Sequence, residues 1–350
     1  MAAACPSFET TREPGPETAA AAWTSCSDVF LDDAADCDGT LGLEQHMSFL
    51  QEVDHWTTTT DVPSLSEAQA YCATLATTHY ENFPVVSWLL PKRLHQHFYN
   101  VYAYCRWADD LADEVASPAR ALELLLWWKS ELQGCYAGRV RHPVFVALQQ
   151  TILQFEIPVQ PFADLISAFE QDQTIREYET FAQLHDYCRR SANPVGRLVL
   201  RLAECDTPQN VAWSDSICTG LQLANFWQDV ARDSVIGRTY LPREDRHQFG
   251  YTSEQLSWKR ATPEFAALLQ FEVDRARNYL LAGAPLVAAV PRWLQVEIDL
   301  FIHGGLQILS EIETIRYDVW AVRPTVTKWA VARLFVGSLV RWTKRRICGS

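Results

Sequence analysis

YNVYAYCRWADDLADE, residues 99–114, decides the fold class. Tyr102, Arg106, Asp109 and Asp113 recur at intervals of three and four, so on an α-helix they share one face. Ala103, Trp107, Ala108, Leu111 and Ala112 are left to pack elsewhere. Roughly 115 residues further on, LQLANFWQDVARD, residues 221–233, repeats the arrangement. Here Gln222, Asn225, Asp229 and Asp233 stand at offsets of 0, 3, 7 and 11. At about 100° per residue all four fall within roughly 80° of arc.

Taken alone, either stripe reads as the solvated face of a helix. The flanks oppose that reading. Phe98, Tyr99, Tyr104 and Trp107 surround the first stripe, and Leu221, Leu223, Phe226 and Trp227 the second, so both helices are apolar nearly all round. Carboxylates in such a setting need cations or hydrogen-bond donors to offset their desolvation. Oxygen donors without His or Cys suit Mg²⁺, which keeps several waters and takes one or two carboxylates plus substrate phosphate.

Outward from the stripes the chain reads as one helix after another. Helical spacing or strong formers, with Pro, Ser, Thr or Asp near the starts, mark residues 66–79, 91–114, 118–136, 142–155, 161–176, 180–203, 209–232, 263–282, 291–317 and 326–345. Alternating strand patterns are nearly absent, so the expected fold class is all-α. Residues 1–60, with Ala runs and Pro14 and Pro16 near their start, are expected to form a largely disordered extension, and residues 61–350 a single domain. No basic segment leads into a long apolar run, so no signal peptide is expected and the expected location is cytoplasmic. No spanning helix is expected either. KWAVARLFVGSLVRWTKRR, residues 328–346, mixes aliphatic and aromatic residues with a basic end, which fits either a packed terminal helix or peripheral membrane contact.

Composition excludes other classes. A net charge of −13 with no basic stripe argues against nucleic acid, so an anionic ligand has to be held locally by metal and a few arginines. The ten cysteines lack CxxC spacing and Cys/His clusters, which argues against zinc and for reduced, packed thiols.

Residues 79–114, 169–200 and 221–242 together resemble the three signature regions of the squalene/phytoene synthase family, in order, and the likeness spans roughly residues 66–320. Within the family, the ENFPV, SANPVGRLVL and NFWQDV segments most resemble the HpnC-type hydroxysqualene synthases of bacterial hopanoid synthesis. The resemblance implies an all-α isoprenoid-synthase bundle with a central prenyl-binding cavity and the acidic stripes at its mouth. It implies Mg²⁺ held by Asp109, Asp113, Asn225, Asp229 and Asp233, and substrate contacts from Asn82, Phe83, Tyr102, Arg106, Tyr187, Asn193, Arg197, Gln222, Arg238 and Tyr240. The implied reaction converts presqualene diphosphate and water to hydroxysqualene. The alternatives are condensation of two farnesyl diphosphates to presqualene diphosphate or squalene, and an inactive prenyl-binding or assembly subunit.

Several of these residues also have structural readings. Arg238 fits a helix cap, Tyr240 a core position, and Phe83, Tyr102, Phe226 and Trp227 ordinary packing. Asp110 points about 100° away from Asp109 and is the doubtful carboxylate. Pro194 is expected to loosen its helix, where Asn193 and freed carbonyls either position a water or form a plain kink. The chain departs from many family members in HYENF at residues 79–83, in Gln228 where an Arg is usual and in Arg232 where an acid is usual. Arg197 is a candidate to restore the displaced charge.

Overall fold

The computed structural model describes residues 39–78 and 90–348, so Asn82 and Phe83 lie outside the described residues. Helix α1 covers Gly39–Thr58, α2 Leu65–Thr78, α3 Lys92–Asp113, α4 Pro118–Tyr136, α5 Pro143–Phe155 and α6 Gln160–Asp172. Then follow α7 Phe181–Ser191, α8 Asn193–Leu202, α9 Pro208–Gln228, α10 Val230–Val235, α11 Arg243–Gln248 and α12 Ser253–Ser257. The chain continues through α13 Pro263–Gly283, α14 Leu286–Ala289, α15 Arg292–Thr314 and α16 Lys328–Cys348. Among the described residues the β pairing is an isolated bridge between Glu177 and Thr239. The all-α expectation holds.

Helix starts follow local chemistry. The side chains of Ser117, Thr207 and Thr262 accept from backbone N–H groups three residues on, each with a Pro in the first turn. That combination satisfies one orphan donor and removes another.

Four expected boundaries differ. The expected helix 180–203 splits at Ala192 into α7 and α8, where Pro194 cannot donate to the ladder. The expected helix 209–232 breaks at Asp229, whose ψ of 14 leaves helical geometry before α10 resumes. Helix α6 ends at Asp172 rather than residue 176, because the next residues run across to residues 237–241. There Thr239 N–H donates to the Arg176 carbonyl at 2.8 Å and Arg243 N–H to the Tyr178 carbonyl at 2.9 Å. Helix α15 stops at Thr314, followed by left-handed Arg316 and Tyr317.

Of the expected N-terminal extension, residues 1–38 lie outside the described residues. Residues 39–58 form α1, which docks through Phe49, buried Val53 and Trp56. These recur at i, i+4 and i+7, a helical stripe that the average composition of the segment conceals.

Two apolar clusters form the interior. One gathers α1 to α6, with Trp107, Trp128, Phe145 and Phe162 fully buried. The other gathers α9, α13 and α15 around Leu221, Trp227, Phe265, Leu280 and Ile308. Helix α8 belongs to both, giving Leu198 and Leu202 to the first and Leu200 to the second. Helices α9 and α13 cross closely at two glycines. A Cβ on Gly220 would lie 2.8 Å from Leu280 Cγ, and one on Gly283 2.6 Å from the Trp213 carbonyl oxygen.

Candidate active site

Tyr102, Arg106, Asp109 and Asp113 share one face of α3, with Tyr102 and Asp109 buried. Arg106 grips Asp110 one turn on, Nε to Oδ2 at 3.0 Å and Nη2 to Oδ1 at 2.6 Å. Asp110, the doubtful carboxylate, is thus the internal partner of an arginine expected to face the substrate. Burial, opposed by Arg106 and reinforced by Asp109, pushes the Asp110 carboxyl up to about 7.

The second line survives the break at Asp229. Asp229 N–H donates to the Asn225 carbonyl and Asp233 N–H to the Asp229 carbonyl, both at 2.9 Å, so Asn225, Asp229 and Asp233 stay in register. Gln222 is buried one turn before Asn225. Arg323, from the segment between α15 and α16, holds Asp229 with Nε to Oδ1 at 2.6 Å and Nη2 to Oδ2 at 3.4 Å. Gln228 Nε2 donates to the adjoining Pro324 carbonyl at 2.7 Å.

Between the two lines lies buried Arg238. Burial works against its charge, yet Tyr240, Asp172 and Asp113 hold it protonated above arginine's usual value. Its Nη2 donates to the Asp172 carbonyl at 3.4 Å, and its buried Nε has no hydrogen-bond partner. It thus meets the last carbonyl of α6 rather than capping α10, the helix that precedes it. Burial followed by the Asp109 carboxylate raises Asp113 well above the carboxylate range, and burial followed by Asp229 does the same to Asp233. Asp172, at the end of α6, accepts from Tyr187 Oη at 2.8 Å and is pushed up to about 6, chiefly by burial.

An aromatic wall backs this centre. Tyr240 stacks on Phe226 at 3.8 Å between ring centroids and 7° between planes, and Tyr178 and Tyr187 close around it. Phe226, Asp233, Arg238, Tyr240 and Trp320 line one small pocket here.

Two expected contacts are placed otherwise. Arg197 has its fork taken by Asp215 on α9, at 2.9 Å and 2.6 Å, and the carboxylates acting on it are Asp215 and Asp164 rather than either stripe. It is therefore paired away from both stripes, against the expectation that it restores charge near Gln228. Asn193 is buried with its Oδ1 accepting from Thr219 Oγ1 at 3.0 Å, which ties α8 to α9.

The family model for squalene/phytoene synthase matches residues 76–330. This chain belongs to that family. A phytoene synthase from Arthrospira platensis is 32% identical over 75% of the chain and 90% of its own length. A hydroxysqualene synthase from Rhodopseudomonas palustris is 34% identical over 67% of the chain and 80% of its own length. The crystal structure of squalene synthase HpnC from Alicyclobacillus acidocaldarius superposes with a TM-score of 0.70 at 42% identity, covering 73% of this chain and 96% of that one. The fold is thus the helical fold of squalene synthases.

For a squalene/phytoene synthase the chemistry of the two lines is apt for a hard cation. Asp113 Oδ2 and Asn225 Oδ1 are buried without a hydrogen-bond partner, one on each side, and every donor is oxygen. Among the described residues no three His, Cys, Asp or Glu side chains converge tightly enough to hold a metal unaided.

Sequence reasoning missed Asp172, Arg323 and Trp320. Asp172 sits in FEQDQTIREYE, inside the second signature region, and was passed over because it belongs to neither stripe. Arg323 and Trp320 lie beyond the regions quoted for the resemblance and carried no local signal.

Proposed function

We propose that the protein converts presqualene diphosphate and water to hydroxysqualene with release of diphosphate, in squalene and hopanoid biosynthesis. The observation that carries this reading is the hydroxysqualene synthase relative, 34% identical over 67% of the chain, beside the 42% identity to the HpnC squalene synthase. Asp109 and Asp113 on one side and Asn225, Asp229 and Asp233 on the other would hold Mg²⁺. When bound, the metal supplies positive charge that stabilises the departing diphosphate.

The chain's own residues do the rest. Arg238 offers its unpartnered Nε to diphosphate oxygens between the two lines. The ester C–O bond breaks with its electron pair leaving on the diphosphate oxygen, and the carbocation is left beside the Tyr240, Phe226 and Tyr187 rings, whose faces favour positive charge. Water then adds its lone pair to carbon and loses one proton to the departed diphosphate, giving the alcohol. Buried walls keep other water away, so the electrostatic interactions act in a low dielectric.

A second reading, head-to-head condensation of two prenyl diphosphates, is favoured by the phytoene synthase relative. An inactive subunit would have no use for carboxylates kept in register across a helix break. Separate incubation with farnesyl and presqualene diphosphates, Mg²⁺ and ¹⁸O-labelled water decides among them. The proposal expects ¹⁸O-labelled alcohol from presqualene diphosphate without added nucleotide. Squalene formed only with NADPH, or farnesyl diphosphate consumed to presqualene diphosphate alone, rejects it.

We also infer a cytoplasmic protein with peripheral membrane contact through α16. Among the described residues no helix is long and apolar enough to cross a membrane. Val336 and Val340 are exposed on one face of α16, while Ser338 and Arg341 bind buried Asp299 on the other. Co-sedimentation with anionic vesicles that is unchanged in Val336→Asp/Val340→Asp protein rejects the contact.

A further inference from the structure

Asp172 is the carboxylate around which the site is organised, although it lies on neither acidic line. It ends α6, is 3% exposed, and stands where Tyr187, Arg238, Asp113 and Asp233 converge. Two independent contacts fix its place. Its carboxylate accepts the Tyr187 hydroxyl at 2.8 Å, and its backbone carbonyl accepts Arg238 Nη2 at 3.4 Å. The turn beyond it is clamped as well, because Gln173 Nε2 donates to the Ala112 carbonyl at the end of the first line at 3.1 Å. One residue thereby touches the aromatic wall through its side chain, the central arginine through its backbone, and the first acidic helix through its neighbour.

We propose that Asp172 is a positioning residue of the active site, acting through Tyr187 and Arg238. Its carboxylate fixes the Tyr187 hydroxyl and ring against Tyr240, and its negative charge partly offsets Arg238. A buried guanidinium with no counter-charge binds any anion strongly, product diphosphate included. With Asp172 beside it, Arg238 keeps a spare donor at Nε but holds a weaker net field. Asp172 thereby trades ground-state grip for a defined geometry at the moment the leaving group develops charge, the condition under which binding energy speeds the reaction. The inference rests on the diphosphate-consuming reading and holds whether water or a second prenyl chain meets the cation.

The test uses Asp172→Asn, which preserves shape and can still accept the Tyr187 hydroxyl through Oδ1, so the fold is retained. Inorganic pyrophosphate binding without metal is measured by calorimetry, and kcat with Mg²⁺ and the accepted prenyl diphosphate. The expected result is a split. Pyrophosphate binds at least about threefold more tightly, since a nearby like charge has gone, while kcat falls about tenfold or more. Asp172→Ala should lower kcat further, and adding Tyr187→Phe to it should cost little more, because the two act as a unit. Binding and turnover that weaken in step with a lowered melting temperature would show Asp172 to be structural, and values within twofold of the wild type would show it to be idle. Either overturns the inference. Wild-type protein that neither binds pyrophosphate nor turns over a prenyl diphosphate would instead refute the underlying function.

Discussion

On α3 the arginine belongs to the acidic line and finds its partner beside it in the same helix: Arg106 reaches Asp110 one turn away. On α9 and α10 it comes from Arg323, 94 residues further along the chain, which grips Asp229 at the break between the two helices. Both pairs are mostly buried, with side-chain exposures of 18% and 13% for the first and 16% and 13% for the second. The electrostatic need is the same, and only the route differs. A pair at i, i+4 is written into the helix repeat, whereas a pair closed by a distant segment exists only after the bundle has assembled. Arg106 of the first line is therefore paired locally, with a carboxylate beside the line, and the second line depends on the segment running from α15 to α16.

The largest expected effect erases the difference between the lines. Asp109→Ala and Asp229→Ala should each lower turnover by more than about a hundredfold, the scale of losing one strong electrostatic stabiliser. Helical circular dichroism should be preserved in both. Wild-type rates in either variant, or in excess EDTA, would remove the metal mechanism from both lines at once.

The next pair of variants sharpens the contrast. Arg106→Ala and Arg323→Ala should each cost about 2–3 kcal/mol in urea unfolding, between the values for exposed and for fully buried pairs. Only Arg323→Ala should also increase limited proteolysis between residues 315 and 327, because Pro324 and its neighbours are held through this junction. Equal cleavage in both variants would contradict the idea that the second line depends on a distant segment.

The pH dependence follows from the raised carboxyls. Asp110 at about 7 and Asp172 at about 6 bind protons more tightly in the folded protein than in the unfolded chain, where carboxyls titrate near 4. Their contribution to stability is present below about pH 4 and is lost as pH rises through 6 and 7. In EDTA the melting temperature should therefore fall between about pH 5 and 8 by this contribution. Asp110→Asn should flatten that fall, and an unchanged slope would show that Arg106 keeps Asp110 ionised throughout.

The smallest effect concerns what backs the first line. Phe49 of α1 lies on Trp107 with ring centroids 5.2 Å apart, and Val53 beside it is 1% exposed. Val53→Ala should destabilise by about 1–2 kcal/mol. A change below a few tenths would mean that α1 contributes little to the body.

What was legible in the sequence was whatever repeats with the helix. The all-α class, the positions of α3 to α6 and α13, and both acidic lines follow from spacing and from Pro and Ser/Thr starts. Asp113, Asp233 and Tyr240 act on Arg238, and Asn225 and Asp229 keep backbone register with Asp233. What escaped was set by tertiary contact. Asp172 and Arg323 have unremarkable neighbours in sequence and gain their roles only by meeting Tyr187 and Asp229 across the bundle. Arg197 shows the converse: it stands inside a motif, yet Asp215 on α9 claims it. Helix α1 was hidden because three apolar residues at helical spacing are diluted by Thr, Asp and Glu.

Helix α8 carries a further consequence, for folding rather than catalysis. Its Leu198 and Leu202 belong to one apolar cluster and Leu200 to the other, and Asn193 and Arg197 fasten it to α9. Neither cluster can open while the other stays closed without stripping one side of this ten-residue helix. The two halves are thus joined into one cooperative unit, and amides in the middle of α8 should exchange with solvent only when the whole molecule unfolds.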